Sequence, residues 1–310
     1  MKNYCSFIAT ILCVTILSFS ITSRSQAQAI PAAEVRVDAQ LKAQLEAVYM
    51  QWRTAMIKKN YNLWAQYTAA HKQITVRNRI LSEKRSFPSS IFELPAAPPS
   101  VSNLKAVRVE SKGATASAVY FGKVDFGVGG EPTENVFQLQ FVFERGGWKY
   151  SNADFFNLNL LKKEREQLKA GNMAFVAQAG FAASGKAPVK PIAINGAQYI
   201  AKVYVYCPGR EVRLKVNKIS DHRYQNNKVS EVVIGGARNG VNEISFAISD
   251  LDGEIDKAAM SIRVYLMSTV KGVKPVKVYE YQLKEGEKPK PFGTDHFVVG
   301  PNEIKLLQGK

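Results

Sequence analysis

Residues 134–156, ENVFQLQFVFERGGWKYSNADFF, constrain the fold more than any other stretch. Phe137, Leu139, Phe141 and Phe143 alternate with Val136, Gln138, Gln140, Val142 and Glu144, so the segment has the two-residue period of a strand with one apolar face. Gly146-Gly147 supplies two adjacent positions that tolerate positive φ, as a tight hairpin requires. With those glycines as the whole loop, Arg145 faces Trp148, Glu144 faces Lys149 and Phe143 faces Tyr150, which groups rings on one side and opposite charges on the other. The same register sets Asn152 opposite Phe141 and Asp154 opposite Leu139, so a carboxylate projects from a mostly apolar face. A single β-bulge ahead of Asp154 would turn it to solvent instead, because one extra residue inverts every later side chain.

The chain opens with Lys2, a mainly apolar run over residues 7–21 and Ala27-Gln28-Ala29. This is the pattern of a signal peptide cleaved after Ala29, with the mature protein periplasmic or extracellular. The rival reading, an uncleaved anchor, is opposed by Thr10, Thr15, Ser18 and Ser20, which interrupt a run already short of the roughly 20 apolar residues a span needs. Cys5 and Cys13 leave with that peptide, and Cys207 alone remains. An exported chain with one thiol has no internal disulfide and depends on buried core. No later stretch is long and apolar enough to cross a bilayer, so no transmembrane segment is expected after cleavage. The sequence has 42 Lys and Arg against 26 Asp and Glu; without Lys2 and Arg24 the cations number 40. The excess is spread along the chain, and outside the cytoplasm it favours a solvated surface or acidic envelope partners over nucleic acid.

Leu41, Leu45, Val48, Trp52 and Met56 form one stripe at helical spacing, with Asp38 placed to cap the start. A shorter helix follows with Leu63, Trp64 and Tyr67. Residues 71–85 have apolar side chains on two opposite sides, Ile74 with Leu81 and Val76 with Ile80, so that helix needs packing on both. Strands around Val107 and Val109, then Val119 and Phe121, lead into the hairpin. Helices followed by antiparallel strands predict an α+β layout. The Trp52-bearing helix, the shorter helices, and the run Leu139, Phe141, Phe143, Gly146, Gly147, Trp148, Lys149 together resemble the nuclear transport factor 2-like superfamily over residues 36–160. The resemblance implies a cone-shaped domain in which helices and a curved antiparallel sheet enclose a pocket. That superfamily includes isomerases, dehydratases, hydrolases and non-catalytic domains, so it supplies no activity by itself.

Residues 161–197 read as a join: a short charged helix capped by Gly171, then an extended Pro- and Ala-rich linker. From 198 to 310 the period is two, with seven strand candidates separated by turn signals such as Asn239-Gly240 and Asp252-Gly253. Repeated one-face-apolar strands predict an all-β sandwich, of immunoglobulin-like form but without the paired cysteines or buried Trp of antibody domains.

Chemistry-bearing residues are few. His71, His222 and His296 are scattered, so neither a metal nor another cofactor is expected. Asp154, with His71 as a second member, is the catalytic candidate, since a carboxyl among apolar neighbours has the raised pKa a general acid or base uses. Tyr49, Trp52, Trp64, Tyr67, Arg77 and Asp154 are expected to line the pocket of the first domain. Arg210, Arg213, Lys215, Lys218 and Arg223 form a basic patch on the second, suited to an acidic ligand, an envelope component or a protein partner. Three functions fit: an exported non-catalytic binding protein, a small-molecule isomerase, dehydratase or hydrolase, or a purely structural envelope protein.

Overall fold

The computed structural model describes residues 35–127, 131–251 and 258–310. The signal-peptide reading and the Asp252-Gly253 turn lie outside the described residues. Among the described residues five α-helices and twelve strands form a mixed α+β fold with three antiparallel sheets of four strands each. By contacts the chain divides into two compact units, one holding residues up to Ile74 together with Ile91–Pro191, the other holding Thr75–Ser90 together with Ile192–Lys310.

In the first unit α1 (Ala39–Ile57) starts where expected: the Asp38 carboxylate accepts from Leu41 N at 2.9 Å and supplies one orphan amide with a partner. Its stripe buries Leu41, Leu45 and Tyr49 against one face of the sheet β1-β2-β3-β4. Those strands are β1 (Lys105–Lys112), β2 (Thr115–Val124), β3 (Thr133–Glu144) and β4 (Gly147–Asn157). Phe137, Leu139 and Phe141 lie beneath α1 as the alternation predicts. The proline segment is tied across the helix, with Tyr49 OH donating to the Pro99 carbonyl at 2.7 Å and Arg53 Nε to Pro98 at 2.6 Å.

The other face of this sheet is not wet. Val107, Val119 and Val136 pack there against Leu158, Leu168, Val176 and Phe181. The last three come from α4 (Lys162–Lys169) and the coil after it, so the segment read as a join is partly core of the first unit. Arg108, only 6% exposed, pins it: its guanidinium donates to the carbonyls of Val176 (2.8 Å) and Gln178 (3.1 Å) while gripping Glu110 with Nε and Nη2. Each buried Val, Leu or Phe contributes about 1.5–3 kcal/mol, and the strip keeps that area from water.

The hairpin register departs from expectation. The two-residue loop is Arg145-Gly146, with φ of 53° and 77°, so Glu144 pairs with Gly147 and Phe143 with Trp148. Lys149 then faces Val142 and Tyr150 faces Phe141. Between Gln140 and Phe141 the ladder carries a bulge in which Ser151 is the extra residue, and beyond it Gln140 pairs with Asn152 and Gln138 with Asp154. Ala153 and Phe155 therefore turn toward α1, and Asp154 turns to the opposite face.

The second unit holds the remainder of α3 (Ala70–Ser82) and strands β5 to β12. The two-sided helix is satisfied by chain and not only by core. Asn78, 2% exposed, donates to the Ile192 carbonyl (2.7 Å) and accepts from Ile194 N (3.2 Å), while Ser82 Oγ accepts from Gly235 N. One sheet has the order β11-β10-β5-β8, the other β12-β9-β6-β7, and both send alternate residues into a single core. The strands are β5 (Ile200–Tyr206), β6 (Arg210–Val216), β7 (Ser220–Gln225), β8 (Lys228–Val232), β9 (Gly240–Asp250), β10 (Met260–Met267), β11 (Val276–Leu283) and β12 (Phe292–Val299). An immunoglobulin domain pairs its first two strands in one sheet; here β5 and β6 belong to different sheets, so the immunoglobulin order is not followed. The eighth strand, β7, escaped the sequence reading because its inward residues are Ser220, His222 and Tyr224 and not aliphatic.

Candidate functional site

The interior expected to be a pocket is occupied by rings. Tyr49 stacks on Trp52 (5.7 Å), Trp52 meets Tyr150 (4.0 Å), and Phe137 stacks on Phe155 (4.3 Å), which in turn meets Phe126 (4.9 Å). Burial pushes the Tyr49, Tyr120 and Tyr150 phenols upward, so these groups stay protonated. Among the described residues the Trp52 indole N–H is buried there without a hydrogen-bond partner, and the Tyr120 hydroxyl lies by the Glu46 carboxylate.

The other expected pocket residues go elsewhere. Trp64 is buried (2% exposed) and stacks on Tyr61 at 5.9 Å. Tyr67 lies under Lys149 Nζ, 5.9 Å from its ring centre. Arg77 counts with the second unit, where Nη1 donates to the Ile194 carbonyl at 2.8 Å. Asp154 is on the face away from Tyr49 and Trp52, for the reason given by the bulge.

Asp154 does belong to a polar cluster. Its carboxylate accepts from Gln140 Nε2 (3.0 Å) and Asn152 Nδ2 (3.2 Å), and Lys72 Nζ donates to Asn152 Oδ1 (3.1 Å). Desolvation raises the Asp154 pKa, opposed by Lys72 and the Asn152 amide. His71, one residue before Lys72, contacts Ser151 Oγ at 3.0 Å, and desolvation and then Lys72 lower its pKa. The two catalytic candidates thus lie at the same outer edge of the sheet, held by amides and by Ser151, itself 4% exposed. The arrangement keeps a proton on Asp154 at higher pH than a free carboxyl would, and it locks the carboxylate between two side-chain amides.

A second cluster lies wholly within the other unit. Ser220 Oγ is 2.6 Å from His222 Nε2, His222 Nδ1 is 2.8 Å from Glu231 Oε2, and Tyr224 OH donates to the same carboxylate at 3.0 Å. The connectivity is that of a serine–histidine–carboxylate relay. Ser220 is fully buried, however, and its Oγ also accepts from Ile234 N at 2.8 Å, so it ties β7 to the chain after β8. The hydrogen bond from His222 is the main reason the Glu231 pKa is lowered.

The predicted basic patch is partly assembled. Arg213 and Arg223 are direct cross-strand partners on the outer face of β6-β7. Their like charges are held together by Glu211, which accepts from Arg213 Nε at 2.7 Å and Arg223 Nη2 at 2.7 Å, with Gln225 as a third donor. These bonds depress the Glu211 pKa to about 2. Lys215 projects beside them, 3.2 Å from Asp221. Lys218 is 81% exposed in a turn, 3.8 Å from Glu243. Arg210 departs from the patch: 2% exposed, it donates to the Ala258 carbonyl and pairs with Asp250.

Next to Arg213 and Lys215 the sheet face dips. The dip, about 330 Å³, has Ser245 and Ala247 of the central strand β9 as its floor and Phe292 and Thr294 of β12 as its far wall. Phe292 is 77% exposed. Gly293 lets it stand there, because a Cβ at that position would lie 2.7 Å from Cζ of Phe246 on the core side. Sequence reasoning passed over Phe292; the signal was the run of small outward residues, Ser245, Ala247 and Ser249, which leaves any large neighbour standing proud.

Among the described residues no group of three or more metal-type side chains converges, and no helix is long and apolar enough to cross a membrane. Fold and site define an α+β chain with a ring-filled first unit and a two-sheet second unit that displays an aromatic and basic trough. No protein-family model, curated protein or solved structure matches it.

Proposed function

We propose that this chain is an exported, non-catalytic binding protein. In this reading the first unit is a domain of the nuclear transport factor 2-like kind with a filled interior. The second unit is a β-sandwich that carries the ligand face. The observation that carries the reading is the trough on the outer side of β12-β9-β6, where an exposed Phe292 faces Arg213 and Lys215 across a floor of Ser245 and Ala247. A ring beside pre-positioned cations offers one face both apolar and charge-assisted contacts, the combination a binding surface uses. The rings under α1 and the amide-locked Asp154 favour a supporting role for the first unit over an isomerase, dehydratase or hydrolase site there.

A thermal-shift panel of acidic metabolites and envelope glycans, run on the mature protein and on Phe292→Ala, tests the proposal. A ligand at 100 times its Kd adds about 2.7 kcal/mol, which is a shift of several degrees. The expected result is at least one ligand that stabilises wild type and not Phe292→Ala. Equal stabilisation of both proteins, or none across the panel, overturns the assignment of the face.

A further inference from the structure

Resting on that reading of the outer sheet face, we infer that its ligand is a carboxylated saccharide chain of the uronate type. The strand registers fix two rows of outward side chains. One row runs Phe292, Ala247, Arg213 and Arg223; the next runs Thr294, Ser245, Lys215 and Asp221. Neighbouring strands are about 4.8 Å apart, so the backbones at Phe292 and Arg213 stand roughly 10 Å apart across the floor. Successive outward residues on one strand are about 6.7 Å apart, which separates the two rows. The trough is open at its top and follows the strands, a form that admits an extended chain lying along the sheet.

Each wall supplies a different recognition chemistry. Phe292 offers a ring face to the C–H side of a pyranose, an apolar surface that inorganic anions lack. Arg213 offers a planar fork suited to a carboxylate; Glu211 takes its Nε and orients it, yet the side chain is still 64% exposed. Glu211 itself is 8% exposed, and its negative charge is more than offset by the two arginines that donate to it. Lys215 pairs with an exposed partner, Asp221, a weak surface pair that can exchange for a ligand carboxylate. Ser245 and Thr294 bring hydroxyls to the floor and wall, where sugar hydroxyls would lie. A neutral glycan would use the ring and leave the cations idle; a polyanion without sugar rings would use the cations and leave Phe292 in water. The acidic saccharide uses both walls.

Affinity electrophoresis of the mature protein in gels containing polygalacturonate, alginate, dextran or dextran sulfate tests the inference, with Phe292→Ala, Arg213→Gln and the control Lys162→Gln. The expected result is retardation by a uronate polymer and not by dextran. Each face variant should weaken it by about tenfold in Kd, the equivalent of one aromatic or bidentate contact, and Lys162→Gln should leave it unchanged. The variants are surface changes, and an unaltered Tm verifies their fold. Uronate binding that is equal in wild type and both face variants would overturn the face itself. Phe292-dependent binding to dextran as tight as to polygalacturonate would overturn the acidic class and leave the face standing. Stronger, Phe292-independent binding to dextran sulfate would reduce the effect to net charge and overturn the inference. Retardation by none of the four polymers also overturns it, and the thermal-shift panel then decides separately whether the face binds another ligand.

Discussion

Arg108 is the most exacting test of how the first unit is held together. It is 6% exposed and makes four hydrogen bonds, two to Glu110 and one each to the carbonyls of Val176 and Gln178. Arg108→Met keeps the aliphatic stem and removes all four. Breaking a buried pair from one side costs about 3–5 kcal/mol. Glu110 is 30% exposed and keeps its bond from Ala183 N, so water recovers part of that loss and the expected value is about 3 kcal/mol. The loss should be local first, because the strip holding Met173, Phe175, Val176 and Phe181 is the only material those bonds fasten. Urea unfolding gives the global figure, and native-state thermolysin digestion gives the local one. A loss near 3 kcal/mol predicts cleavage at 173–181 faster by roughly 100-fold. Adding Glu110→Gln should recover part of the loss by removing the stranded charge. A global loss under about 1 kcal/mol, or a loss without faster cleavage in that strip, would refute the reasoning.

Three further outcomes are expected. Glu211 has a folded pKa of about 2, below its ordinary value, so its contribution is present above pH 4.5 and lost as pH falls toward 2. After allowance for its solvent-exposed arginine partners that is about 1 kcal/mol, and Glu211→Gln should lose that much at pH 7 with the difference closing in acid; parallel acid-denaturation curves would count against it. Asp154 has a raised folded pKa, so its ionisation opposes folding as pH rises past the unfolded value of 3.8. The stability of Asp154→Asn relative to wild type should therefore increase between pH 4 and 7, and a constant difference would contradict the burial argument. Ser220→Ala strands the half-buried Ile234 amide and should cost about 1 kcal/mol, whereas the folded wild type should remain unlabelled by a fluorophosphonate ester; labelling at Ser220 would show that the relay opens.

Local rules carried the sequence reading as far as they reach. The stripe and cap of α1 and the alternation of β3, β6 and β9 depend only on near neighbours, and those elements are where the pattern puts them. The hairpin loop was misread by one residue because Arg145 adopts positive φ, a conformation that Gly147 was better suited to supply. The Ser151 bulge left no mark that distinguishes it from a straight strand, and the face of Asp154 turned on it. Strand β7 hides its character because its core side is polar and satisfied through Glu231. Arg77 and Asn78 are spent on carbonyls more than a hundred residues away, a partnership no helical wheel displays. The trough depends on registers among three strands, and only Phe292 and the small residues of β9 foreshadow it.

The extra residue in β4 also bears on how such a sheet could change its chemistry. A register in which Ser151 paired with Gln140 instead of bulging would straighten the ladder and exchange the two sides of everything from Asn152 to Asn157. Asp154 would then enter the ring-lined chamber beneath α1 while Phe155 left it, emptying room at the same stroke. No single amino-acid replacement accomplishes both. In a ribbon of this design, acquiring an internal acid is a matter of register, and a strand that merely lost Ser151 would keep Asp154 beside Gln138.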